Sequence, residues 1–161
     1  MQRKNITTVV IEYDSTAELS EIEKKLVEKA RESALQAYSP YSKFQVGAAV
    51  LLDNGLIIEG NNQENAAYPS GLCAERVALF YANARYPKNL VTAIAITALK
   101  GNVPIDEPVP PCGSCRQTML ETANRFGNNI KVILAGKSKI QVIEDSSDLL
   151  PLHFNEKFIR S

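Results

Sequence analysis

A chain of 161 residues fits one domain and can bury roughly two thirds of its unfolded surface, so neither disulfides nor a metal are required merely to keep it folded. Its 18 basic and 18 acidic residues cancel and no basic run of five or more occurs, which argues against a broad phosphate-tracking surface and against nucleic acid as a partner. Although 45% of the residues are hydrophobic, no apolar run approaches the roughly 18 residues of a membrane span; a soluble, untargeted, cytoplasmic protein with a small-molecule partner and no membrane contact is predicted.

Residues 1–14 carry a short β-like run, Thr7 to Ile11, which reads equally as an added edge strand or a loose arm. Ser20 and Glu23 have the spacing of a capping box, and Ile22, Leu26, Val27, Ala30, Ala34 and Ala37 recur at helical spacing, so a helix is predicted over 20–38. Tyr38-Ser39-Pro40 ends it. Strands are predicted at 45–52 and 56–59, reversed by Asp53-Asn54-Gly55. A polar loop over 60–69 then leads to a helix from Cys73 to about Arg85. Residues 91–99 read as a central strand and 100–111 as an irregular, Pro-rich crossover. A third helix follows Cys112 and runs to about Phe126.

The last predicted strands, 131–135 and 140–143, are separated by only Gly136-Lys137-Ser138-Lys139. A link of four residues permits a hairpin but no parallel crossover, so strands four and five should be antiparallel. The order fits an α/β fold in three layers, α/β/α, around a mixed five-stranded sheet. Residues 1–19 read as an N-terminal extension and 20–161 as a single domain. The apolar tail from Leu149 to Phe154 has no predicted sheet left to join.

Cys73, Cys112 and Cys115 are the only cysteines. An odd number, two of them in C-x-x-C, points to a reducing compartment rather than to a disulfide framework. Each group lies at a helix start, where side chains lean towards the N-terminus and partial positive charge favours thiolate. Three thiolates can meet at one zinc ion, leaving a fourth position for water. Arg76 and Arg116, each beside a motif residue, could donate to sulfur and offset part of the charge. Glu75, not itself a ligand in this reading, could carry a proton between water and a substrate nitrogen. Other readings stay open on these residues alone: a dithiol redox pair or non-catalytic zinc module, a closed zinc site with His153 as fourth ligand, or Glu75 as a favourable first-turn acid and nothing more.

Taken together, Tyr38-Ser39-Pro40-Tyr41-Ser42-Lys43-Phe44-Gln45-Val46-Gly47-Ala48-Ala49, Asn62-Gln63-Glu64-Asn65-Ala66, Cys73-Ala74-Glu75-Arg76, Pro111-Cys112-Gly113-Ser114-Cys115-Arg116-Gln117 and Leu149-Leu150-Pro151 resemble the zinc-dependent nucleoside deaminases. The closest resemblance is to the small homotetrameric cytidine deaminases of the three-cysteine type. It implies a cytidine-deaminase-like fold, one zinc per chain held by Cys73, Cys112 and Cys115, and hydrolysis of cytidine, and of deoxycytidine, to the uracil nucleoside and ammonia in pyrimidine salvage, with Glu75 as acid and base. It further implies that Asn62 and Glu64 bind the ribose, that Phe44 lines the base pocket, and that Phe154, or Phe158, reaches a neighbouring subunit's site in a tetramer with shared active sites. Deaminases of a nucleoside antibiotic share the three cysteines and the Glu, but the Asn-x-Glu-Asn loop is more typical of the cytidine enzymes.

Overall fold

Glu23 starts the first long helix by folding back on it. Its Oε2 accepts the Ser20 backbone N–H at 3.0 Å, satisfying a donor that lies outside the helical ladder. The computed structural model describes residues 1–159, so Arg160 and Ser161, at the end of the expected domain, lie outside the described residues. In it this helix, α1, spans Glu21–Ala34. The expected end at 38 is too late. Gln36 and Ala37 donate to Ser33 and Ala34 three residues back, and Tyr38 leaves to bond the Asn62 carbonyl at 3.0 Å. Three residues on, at Tyr41, the chain has reached the cavity described below.

The described residues hold seven strands, one before α1 and six after it: β1 (Ile11–Tyr13), β2 (Phe44–Leu52), β3 (Ile57–Asn61), β4 (Val91–Lys100), β5 (Val103–Pro104), β6 (Lys131–Ala135) and β7 (Ile140–Ile143). They form one sheet in the order β1-β7-β6-β4-β2-β3, with β5 beside β4. Only β4 and β6 pair in parallel; β6 and β7, the expected fourth and fifth strands, are antiparallel as their four-residue link requires. The expected five strands become seven for two local reasons. Ile11 and Tyr13 turn inwards around exposed Glu12 and extend the sheet past β7, so the edge strand lies later than the 7–11 run. Gly101 and Asn102, at φ +58° and +65°, reverse β4 in a two-residue turn and create β5 inside the supposed crossover.

Two further helices, α2 (Ala74–Arg85) and α3 (Gly113–Phe126), cover the face opposite α1. Strand alternation divides the core accordingly: Ile94 and Ile96 of β4 belong to the cluster with Leu79 and Met119, while Ala93 and Ala95 face Leu26 and Ala30 of α1. Leu19, Ile11 and Tyr13, from the expected extension, pack with the α1 cluster. Two glycines set how closely the helices approach. A Cβ at Gly47 would collide with the backbone of Ala30, and one at Gly60 with the backbone of Ala74 and Ala78. Overpacking of this kind costs roughly 1–3 kcal/mol. Gly60 therefore fixes the height of the first turn of α2 above the sheet, and with it the position of Cys73 and Glu75. No helix among the described residues is long and apolar enough to cross a membrane.

Candidate active site

Cys73 and Cys112 occupy the cap positions immediately before α2 and α3, with extended backbone angles of φ −71°, ψ 153° and φ −67°, ψ 167°. A Ser, Thr, Asp or Asn there would bond an open N–H of the first turn; neither sulfur does. Instead the two helix starts converge. Cys73 Sγ lies 3.8 Å from Cys112 Sγ, and Cys112 Sγ lies 3.5 Å from Cys115 Sγ, in the first turn of α3. All three sulfurs fall within 4.8 Å of one another.

The donor set fits zinc. Tetrahedral coordination at a Zn–S distance of about 2.3 Å puts sulfurs about 3.8 Å apart, close to the separations found, and three ligands leave one position open. One zinc per chain is accordingly the cofactor. Among the described residues no fourth metal-ligating side chain joins the cluster, and His153 is engaged elsewhere, its Nδ1 3.0 Å from the Leu150 carbonyl. A closed site completed by His153 is therefore not what the fold builds.

The sulfurs differ in their surroundings. The Cys73 thiol is pushed down to about 5, first by its hydrogen bond with Cys115 and then by Arg76 and Cys112, against the effect of burial. Cys115, which donates that bond to Cys73 and is buried, is pushed up. Arg76 Nη2 lies 3.8 Å from Cys73 Sγ and supplies the expected cationic contact. Arg116 does not. Its Nε and Nη1 donate to the carbonyls of Pro111 and Leu149, each at 2.8 Å, so it ties the segment before Cys112 to the root of the C-terminal tail.

Glu75, second residue of α2, is only 4% exposed. Burial raises its carboxyl above the ordinary value; its own backbone N–H opposes this and the charge at Cys73 adds to it. Glu75 and the sulfurs Cys73 and Cys112 line one end of a cavity of about 810 Å³. Phe44, Val46, Ile96 and Val109 give it apolar walls, and Asn62 and Glu64 line it too. A volume of that size with few polar groups is ordinary for a small-molecule site.

Asn62 follows β3 and spends its amide on β2: Oδ1 accepts from Val46 N–H at 2.7 Å, and Nδ2 donates to the Phe44 carbonyl at 2.9 Å. Glu64 accepts from the backbone N–H groups of Tyr41 and Ser42 at 2.9 and 3.3 Å and from the Ser42 hydroxyl. Between them Gln63 exchanges two backbone bonds with Leu72, just before Cys73. The loop is thus fastened on both sides. One N–H of Asn62 and the free lone pairs of Glu64 remain for a ligand.

Phe154 does not line this cavity. It is 58% exposed, its ring stacks at 5.8 Å on the still more open Phe158, and its carbonyl is held by Gln117 Nε2. Val109 and Pro110 of the Pro-rich segment, which belong to no motif of their own, line the cavity too. Their signal was position, directly before the Pro111-Cys112 pair.

A sequence model described as the cytidine and deoxycytidylate deaminase zinc-binding region matches residues 20–126. The cytidine deaminase of Halalkalibacterium halodurans is 48% identical over 96 residues, covering 60% of this chain and 68% of that one. Among solved structures, cytidine deaminase from Burkholderia pseudomallei superposes with a TM-score of 0.71 at 37% identity, covering 81% of this chain and 97% of its own. That from Mycobacterium tuberculosis gives 0.64 at 31% identity, covering 83% and 97%.

Proposed function

The chain belongs to the cytidine and deoxycytidylate deaminase family, and from that membership we propose that it hydrolyses the free nucleosides cytidine and deoxycytidine to the corresponding uracil nucleosides and ammonia. The observation that carries the reaction is that a buried carboxyl, Glu75, lines the same cavity as Cys73 and Cys112, two of three convergent cysteines. Held by Cys73, Cys112 and Cys115, zinc supplies the Lewis acidity that lets water act as a nucleophile near neutral pH. Glu75 takes the proton from that water as oxygen adds to C4 of the base, and passes it to N3. Glu75 then takes the proton of the new C4 hydroxyl and delivers it to the exocyclic nitrogen; C4=O forms as the C4–N bond breaks, and ammonia leaves. Burial suits Glu75 to this work, since a carboxyl raised above its ordinary value holds and releases a proton more evenly at neutral pH. Arg76 steadies the charge on Cys73. Phe44 packs against the base, while Asn62 and Glu64 take sugar hydroxyls.

The family includes enzymes for nucleotides as well as nucleosides, and Glu64 supports the second. The cavity lining contributes one cation, Arg76, already directed at Cys73, whereas Glu64 presents a carboxylate. A phosphate would meet repulsion and no free partner. Ammonia release should therefore be measured with cytidine, deoxycytidine, their 5′-phosphates and cytosine. Turnover of both nucleosides at least tenfold above the others is expected; preferential turnover of a 5′-phosphate would contradict the proposal.

A homotetramer with shared sites accounts for the apolar surface of the single chain. Phe154 and Phe158 are open, as are Phe80 and Tyr81 on α2. In this reading Phe154 covers the base in a neighbour's cavity. Co-refolding Glu75→Gln with Phe154→Ala chains should regenerate roughly a quarter of the sites and lift activity at low cytidine above the parental mean; no gain, with subunit exchange verified, would refute the shared site. Residues 20–161 carry the reaction in this reading, and loss of residues 1–10, ahead of β1, should leave turnover unchanged. A cytoplasmic role in pyrimidine salvage predicts that the protein lets a pyrimidine auxotroph lacking its own cytidine deaminase grow on cytidine. Failure of an active enzyme to do so would count against that role.

A further inference from the structure

The Ser42 hydroxyl has one proton, and that proton is committed to Glu64 Oε1. The Ser42 hydroxyl oxygen in turn accepts the Phe44 backbone N–H at 3.0 Å. Glu64 Oε2 meanwhile takes the backbone N–H groups of Tyr41 and Ser42. Both carboxylate oxygens are therefore held from one short segment, which leaves their remaining lone pairs as acceptors for the cavity. Lys43, between Ser42 and Phe44, stands at φ +56°, a left-handed conformation uncommon outside glycine. It is fixed there by bonds from its N–H to the Ser39 carbonyl and from Gly101 N–H to its own carbonyl, each 3.1 Å. This unusual turn lets one hydroxyl address Glu64 and the start of β2 together.

We propose that Ser42 is a positioning residue for sugar recognition: its hydroxyl orients Glu64 as an acceptor for the sugar. The proposal rests on the reading that Glu64 binds the sugar. The downward displacement of the Glu64 carboxyl, with the Ser42 hydroxyl as its largest cause, agrees with the geometry.

The alternative is that Ser42 only completes a turn, and kinetics separate the two. Ser42→Ala, Ser42→Thr, Glu64→Gln and the Ser42→Ala/Glu64→Gln double variant are assayed as zinc-loaded enzymes on cytidine and on 1-methylcytosine, which has no sugar. Ser42→Ala should lower kcat/KM for cytidine about tenfold, mainly through KM, and leave 1-methylcytosine turnover and zinc content unchanged. Ser42→Thr, which keeps the hydroxyl, should restore most of the loss. The double variant should be no worse than Glu64→Gln alone, because a hydroxyl acting through Glu64 has nothing to orient once the carboxylate is gone. Equal losses on both substrates, or losses that multiply in the double variant, would overturn the positioning role while leaving the sugar reading intact. Unchanged cytidine kinetics in Glu64→Gln would overturn the sugar reading and this proposal with it.

Discussion

At the cysteine end of the cavity, Cys73 and Cys112 stand at helix caps without forming the capping bonds those positions invite, and with Cys115 of the first turn of α3 they place sulfurs 3.5 and 3.8 Å apart. At Asn62 and Glu64 the polar atoms are already bonded to the backbone of residues 41–46. The first group is incomplete as protein and makes chemical sense only with a metal. The second is complete, so the same bonds that prepare it for a ligand also hold the chain. Substitutions at the two places should therefore fail differently: chemistry lost with the fold intact in one, binding and stability lost together in the other.

Glu75→Gln gives the largest separation of the two behaviours. The amide keeps the shape of the carboxyl and none of the ligands is touched, so zinc content and thermal stability should persist while kcat falls between about 100-fold and 10,000-fold. Metal analysis beside steady-state kinetics checks this; loss of zinc would make Glu75 a ligand and erase the contrast. Asn62→Ala should show the mixed behaviour. It leaves Val46 N–H and the Phe44 carbonyl without their partner, costing about 1–3 kcal/mol of stability, and weakens cytidine with it. Calorimetry and KM in one preparation test the coupling, and a variant with weaker cytidine binding but unchanged stability would break the comparison.

The smallest effect is a titration. The Ser42 hydroxyl first, helped by the amides of Tyr41 and Ser42, holds Glu64 below the ordinary carboxyl value of 4.5 against the opposing effect of desolvation. A folded-state value below the unfolded one means that its contribution to stability is present above pH 4.5 and fades as pH falls through the folded value. Carbon-13 NMR of the Glu64 carboxyl should give a midpoint below 4.5 that rises in Ser42→Ala; a midpoint at or above 4.5 in the unaltered protein would show that the clamp does not persist in solution.

What was legible in the sequence was what local chemistry decides. Ser20 and Glu23 marked the start of α1, four residues between two apolar runs fixed the β6–β7 pairing, and three cysteines at two helix starts marked the metal site. What depends on distant register was not legible. Asn62 reaches Val46 because β2 and β3 pair with Gly47 opposite Asn61, and Arg116 meets the Leu149 carbonyl because the tail returns across α3. The Gly101-Asn102 pair does carry a hairpin signal, masked by the Pro-rich stretch around it. The turn at Lys43 carried none, since nothing local favours a left-handed lysine.

The central claim, a deaminase whose three sulfurs hold the zinc on which its chemistry depends, meets its most direct test in one preparation. Zinc content and ammonia release from cytidine are followed together while a chelator strips the metal and zinc is then restored. Activity should fall in proportion to zinc, approach zero in metal-free protein, and return as occupancy reaches about one ion per chain. Metal-free protein that still deaminates cytidine, or zinc-loaded protein that releases no ammonia and instead cycles a Cys112–Cys115 disulfide, would contradict it.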